Sequence, residues 1–299
     1  PRLTGAYRFE LHPDTRTRMA VRAEIYVREE GGKLGLAPLT SMYLFGENQN
    51  APHPDYRPEV HDSDGLSVQT DQEWLWRPLV NPQRLQVTSF AAKQLKGFGL
   101  MQRDRAFHQY EDLEARYDLR PSAWVAPRGD WGPGRVELVL IPTPDETNDN
   151  VVAYWVPDNP PKRGEPLRVR YDLSWQKKGE TLPPLAHVVQ TRRGHGWVKK
   201  QDDTLRYHID FEGDALKDLP AETPLRADVW AGDGGTVVEQ QLYRNEVTGG
   251  WRLSLKIRNN EPSTPLELRA TLRHGDATVS ETWAYLVLPT ESGRWFDPG

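Results

Sequence analysis

Apolar and polar residues alternate along Val21-Arg-Ala-Glu-Ile-Tyr-Val-Arg28 with a period close to two, the spacing that turns one face of an extended strand to a core. The same alternation returns in Trp251-Arg-Leu-Ser-Leu-Lys-Ile-Arg258 and Leu266-Glu-Leu-Arg-Ala-Thr-Leu-Arg273. Further β runs lie at 135–141, 151–156, 167–173, 205–211, 236–243 and 278–288. The pattern predicts an all-β chain. One segment predicts a helix: Phe107, Tyr110, Glu114 and Tyr117 recur at three- or four-residue steps, and Arg120-Pro121 ends the run. Glycine-rich turns at 30–32, 129–134, 232–235 and 248–250 punctuate the rest, a spacing that fits antiparallel sandwiches.

The polar stretch Gln176-Lys-Lys-Gly-Glu-Thr-Leu-Pro-Pro184 lies between strand patterns and reads as a linker, 176–185. It separates a first domain, 1–175, from a second, 186–299. The second has the size and the regular short strands of an immunoglobulin-like sandwich, without the cysteine pair of antibody domains. The chemically suggestive motifs fall before the linker.

Composition narrows the function classes. The chain has 299 residues, enough to bury a substantial core. Its 38 basic and 43 acidic side chains are interspersed, with no basic stripe to neutralise phosphates, so nucleic acid is not an expected partner. The lack of cysteine excludes disulfides, thiolate metal sites and thiol catalysis, and leaves the compartment open. No run approaches the ~20 apolar residues of a spanning helix, so a soluble chain without membrane insertion is expected. The first residue is Pro1, which places any start methionine or signal peptide outside this sequence. Neither cofactor nor metal is expected. Eleven tryptophans serve either a β core or stacking on sugar rings.

Arg57-Pro-Glu-Val-His-Asp-Ser-Asp-Gly65 packs Asp62, Asp64 and His61 into one turn. The position of Gly65 does not match a helix-loop-helix calcium site. Taken alone, the motif reads as an Asx-type turn in which aspartates cap their own amides. A second loop, Pro144-Asp-Glu-Thr-Asn-Asp-Asn150, gathers Asp145, Glu146 and Asp149, whose mutual repulsion favours holding a proton near neutrality. Two acidic loops can supply the proton donor and the carboxylate base of glycoside hydrolysis. Trp74, Trp76 and Arg77, then Arg103 and Arg105 around Asp104, are candidates to line a sugar groove; a core strand and an ion-pair network explain them equally. Trp131, in a Gly-rich loop, is a further candidate. Gly194-His-Gly196 reads as a hairpin turn. Phosphate-cradling loops, nucleophile elbows and paired-histidine metal helices are absent from the sequence.

Four motifs in one order carry a resemblance: residues 57–65, Gly-Phe-Gly-Leu-Met-Gln-Arg-Asp-Arg at 97–105, Arg-Pro-Ser-Ala-Trp-Val at 120–125 and Asp-Glu-Thr-Asn-Asp-Asn at 145–150. The chain resembles the periplasmic glucan biosynthesis proteins G and D over nearly its whole length, matching their C-terminal three fifths. The resemblance implies a large galactose-mutarotase-like β-sandwich, here incomplete at its N-terminus, followed by an immunoglobulin-like domain, in the periplasm. It implies an inverting hydrolase or transglycosylase acting on β-1,2-glucan, with partners among glucan chains and the membrane-bound glucan synthase machinery. By motif, Asp149 becomes the general acid, Glu146 its neighbour, Asp62 or else Asp64 the base, and Tyr117 a relay hydroxyl. A non-catalytic glucan-binding scaffold is the rival reading, and a sandwich module for unrelated sugars a third.

Overall fold

Alternation becomes strand wherever one face finds a core. In the computed structural model, which describes residues 2–29, 31–177, 181–197, 202–217, 219–220 and 222–289, β1 (Leu3–His12) pairs antiparallel with β2 (Thr17–Val27). On β2, Val21, Ala23 and Ile25 are buried while Arg22 and Tyr26 face water. Then follow β3 (Leu36–Ser41), β4 (Tyr43–Phe45), β5 (Val60–His61), β6 (Gly65–Thr70), β7 (Trp74–Pro78), β8 (Gln86–Ala92) and β9 (Leu95–Met101). Next come β10 (Ser122–Pro127), β11 (Gly134–Leu140), β12 (Val151–Pro157) and β13 (Pro166–Gln176). Of the expected linker, residues 178–180 lie outside the described residues.

The chain divides into two compact units. The first takes Pro1–Leu44, Asp55–Trp74 and Asn81–Thr181; the second takes Phe45–Pro54, Leu75–Val80 and Leu182–Gly299. In the first unit, strands β1-β2-β13-β10-β9-β6 form one antiparallel sheet and β3-β12-β11-β8 another. Both contribute buried apolar residues, Phe98, Leu100 and Val125 from one and Val136, Leu138 and Trp155 from the other. Glycine is required at one close approach: a Cβ on Gly97 would stand 2.3 Å from the Trp124 ring, which itself stacks on Trp74 at 5.6 Å. At the outer end, β1 has β2 on one side and, among the described residues, no strand on the other. Tyr7, Phe9 and Leu11 stay exposed on it.

The helix expected around 107–117 does not form. Two 3₁₀ turns, Phe107–Gln109 and Tyr117–Leu119, bracket an irregular segment in which Glu111 and Arg116 take left-handed backbone angles (φ 53° and 49°). The side chain of Asp112 replaces helical bonding by accepting the amides of Glu114 (2.8 Å) and Ala115 (2.7 Å).

The second unit contains β14 (His187–Arg193), β15 (Leu205–Glu212), β16 (Leu225–Trp230), β17 (Gly235–Arg244), β18 (Trp251–Asn259), β19 (Leu266–His274), β20 (Ala277–Thr278) and β21 (Thr282–Val287). One sheet runs β14-β15-β18-β17, the other β7-β21-β19-β16 with β20 on β19. The architecture is all-β and sandwich-like. Strand β7 pairs parallel with β21, Trp76 opposite Trp283. Gly194-His-Gly196 lies in the connection from β14 to its antiparallel neighbour β15, where His195 meets the Thr204 carbonyl at 2.9 Å.

Candidate functional site

Both acidic loops of the first unit hang from one short piece of backbone. The Asp62 amide donates to the Met42 carbonyl (2.9 Å), and Ser41 donates to Ser63 (2.8 Å) in a buried hydroxyl pair. One residue on, the Tyr43 amide donates to Asn150 Oδ1 (2.8 Å), and Asn150 Nδ2 donates to the carbonyls of Tyr43 (3.0 Å) and Ile141 (3.1 Å). Asn150 is buried, and its two bonds with Tyr43 are made away from competing water. Asn81 pins the other end of the second loop through the Thr143 amide (3.1 Å) and carbonyl (2.9 Å).

Beneath the first loop lies His61, fully buried, stacked on Tyr43 at 5.3 Å and edge-on to Tyr110 at 5.3 Å. Its Nε2 meets Glu59 at 2.8 Å and its Nδ1 meets Gln102 Oε1 at 2.9 Å. Burial works against a charge there, but the hydrogen bond and charge of Glu59, with Asp64 and Gln102, outweigh it and raise the His61 pKa. With an acceptor facing each nitrogen, these surroundings favour the imidazolium, which can donate to Glu59 and Gln102 at once. Gln102 spends its own amide hydrogens on the carbonyls of His61 (2.9 Å) and Tyr117 (3.3 Å), which fixes Tyr117 against the loop.

Asp62 faces Arg120, whose Nε lies 3.1 Å from Oδ1. Burial raises the Asp62 pKa, the charges of Asp149 and Glu146 raise it further, and Arg120 and His61 oppose them. The two loops thus share one electrostatic field. Asp149 itself is exposed. Glu146 is gripped by Arg57 at 2.7 Å, and Arg57 also binds Asp112 (2.9 Å) and Asp55 (2.9 Å). Those partners, Asp55 first, push the Arg57 pKa well above its ordinary value. Tyr117 is buried, and burial, then the charges of Glu146 and Asp62, raise its pKa. Asp62, Glu146, Asp149 and Tyr117 form one constellation.

Asp64 does different work. Its Oδ2 accepts the amides of Arg103 (3.1 Å) and Asp104 (3.2 Å), and its own amide donates to Met101 (2.9 Å), so it ties two loops together. Asp145 caps its own turn through Thr147, whose hydrogen bond holds the carboxyl below its usual range. Arg105 donates to Ser122 (3.0 Å) and to the Arg120 carbonyl. Trp76 and Arg77 are not brought to the acidic loops: they are 3% and 1% exposed in the second unit, where Arg77 forks onto Glu267 (2.6 and 2.7 Å). Trp131 donates to the Arg170 carbonyl (3.3 Å) and sits edge-on to Tyr171. Sequence reasoning did not single out Arg57, Asn150, Gln102, Arg120 or Asp112. The only signal was position, since Arg57, Arg120 and Asn150 begin or end the motifs that were quoted.

A family model described as "Periplasmic glucan biosynthesis protein, MdoG" matches residues 1–287. The glucans biosynthesis protein G of Ralstonia nicotianae is 54% identical over 295 residues, covering 96% of this chain and 58% of that protein. Its counterpart in Dickeya dadantii is 50% identical over 300 residues, covering 97% and 58%. That of Pectobacterium carotovorum is 50% identical over 293 residues, covering 95% and 56%. The chain therefore spans somewhat over half the length of these relatives.

Proposed function

From the premise that this chain belongs to the MdoG family of periplasmic glucan biosynthesis proteins, we propose that it acts in the periplasm on β-1,2-linked glucan, as an inverting glycoside hydrolase or transglycosylase. Asp149, exposed beside the Asn150 anchor, delivers a proton to the glycosidic oxygen as the bond to the anomeric carbon breaks. Water, or a sugar hydroxyl in transfer, attacks the opposite face, and its proton passes to Asp62 directly or through Tyr117. One carboxyl loses a proton and the other gains one, so the cycle closes by exchange with solvent.

The observation that supports this reading is the environment of Asp62: burial, with the charge of Glu146 adding to it, raises its proton affinity and makes a better base of it while Asp149 carries the proton to be delivered. Inversion asks for roughly 6.5 to 9.5 Å between the carboxyl groups, and a relay through a hydroxyl lengthens that span. Asp64 is the weaker base because its carboxylate is committed to backbone amides. The scaffold reading draws its support from the ion pairs that engage both carboxylates, Asp62 with Arg120 and Glu146 with Arg57. In it the two acidic loops orient a nascent chain for the synthase machinery.

Reducing ends released from linear β-1,2-glucan separate the two. Wild type is expected to generate them, while Asp149→Asn and Asp62→Asn lose activity by at least about a hundredfold. Undiminished product from Asp149→Asn removes the acid from that residue, and no product from wild type alongside measurable glucan binding favours the scaffold.

A further inference from the structure

The outward face of β1, β2 and β13 sets arginines in register. Arg22 stands directly opposite Arg8 on β1 and Arg170 on β13, a row of three cations across the sheet. Like charges placed opposite one another destabilise a sheet. Arg18, two residues beyond Ala20 on the same face, stands opposite His12.

The nearby carboxylates are already engaged: Glu10 pairs with Arg8 at 2.6 Å and Asp172 with Arg128 at 2.6 Å. Among the described residues, the side chains of Arg18, Arg22 and Arg170 have no hydrogen-bond or ion-pair partner. Ala20, between Glu10 and Asp172 in register, is too small to fill the space its neighbours enclose. A depression of about 440 Å³ results, walled by Glu10, His12, Arg18, Arg22, Arg128 and Arg170. In a chain of net charge −5, this is a local inversion of sign.

We propose that this depression binds a phosphate group. Planar guanidinium forks match phosphate oxygens two at a time, and a dianion neutralises two arginines at once, which relieves the repulsion along the row. Such a group comes either as a free phosphate or as the headgroup of an anionic lipid.

Calorimetric titration and thermal unfolding of this chain with inorganic phosphate, against chloride at matched ionic strength, test the site. Flotation with phosphatidylglycerol vesicles, against phosphatidylcholine, tests the lipid source. Phosphate is expected to raise the unfolding midpoint, and Arg22→Ala/Arg170→Ala to weaken binding by about tenfold or more. In chloride alone that double variant unfolds no lower than wild type, because a repulsive pair has gone. Ala20→Glu supplies an internal carboxylate and is expected to abolish the response without removing an arginine. A response to free phosphate assigns a soluble ligand; arginine-dependent flotation without it assigns a headgroup. Wild type that answers to neither probe, or binding that persists unchanged in both variants, overturns the proposal.

Discussion

Three neighbours favour a positive charge on His61 inside the first unit, against the burial that opposes it: Glu59, Gln102 and, at longer range, Asp64. The His61 pKa in the folded chain is raised above the unfolded value of about 6.5, so its contribution is complete below that pH. It is lost as pH climbs through the folded value. The gap in unfolding free energy between wild type and His61→Gln is therefore expected to be wider near about pH 6 than near about pH 9, read from urea denaturation at each. A gap independent of pH overturns the imidazolium assignment. At this scale the sequence was partly legible. Asp62, Glu146 and Asp149 draw notice because acids crowd into short loops. Arg57 does not, because Asp112, one of the carboxylates it binds, stands 55 residues away along the chain.

Elements follow local pattern only where packing agrees with it. The strand patterns at 135–141, 151–156 and 251–258 correspond to β11, β12 and β18, each with one face buried. The apolar steps from Phe107 to Tyr117 suggested a helix, yet Tyr110 and Tyr117 are buried while Phe107 and Leu113 remain exposed. Asp112 turned its carboxylate to the backbone and to Arg57, which a helix would forbid. The loop after β11 makes the same point from the other side, since its place depends on one buried amide. Asn150→Asp keeps the acceptor for Tyr43 but removes both donors and buries a carboxylate. It is expected to cost about 2 to 4 kcal/mol in chemical denaturation and to lower activity on glucan further than that loss explains.

Across the whole molecule, the sheets could be anticipated but not the route of the chain through them. Periodicity gives each strand a buried face without naming the sheet it joins. Nothing in Trp74-Leu-Trp76-Arg77 announces that Leu75–Val80 belongs with the second unit, because its partner strand, Thr282–Val287, comes some two hundred residues later. Strand β1, which is not among the runs read from the sequence, poses the opposite case: Tyr7, Phe9 and Leu11 stay in water on it, and among the described residues no strand pairs with its outer side. Edges of this kind recruit other strands. For this chain expressed as it stands, Phe9→Lys is expected to slow the growth of light scattering at elevated concentration without lowering the unfolding midpoint. Unchanged scattering would mean that β1 is not the adhesive edge.

Because Met42 and Tyr43 hold the two acidic loops on adjacent peptide units, opening of one loop is expected to loosen the other. A fluctuation that frees the Tyr43 amide releases Asn150 and loosens the second loop at its root. The deuterium uptake of that single amide is thus a clock for opening of the whole constellation. A ligand that bridges the two loops is expected to slow that uptake, which hydrogen exchange at the Tyr43 amide reads directly.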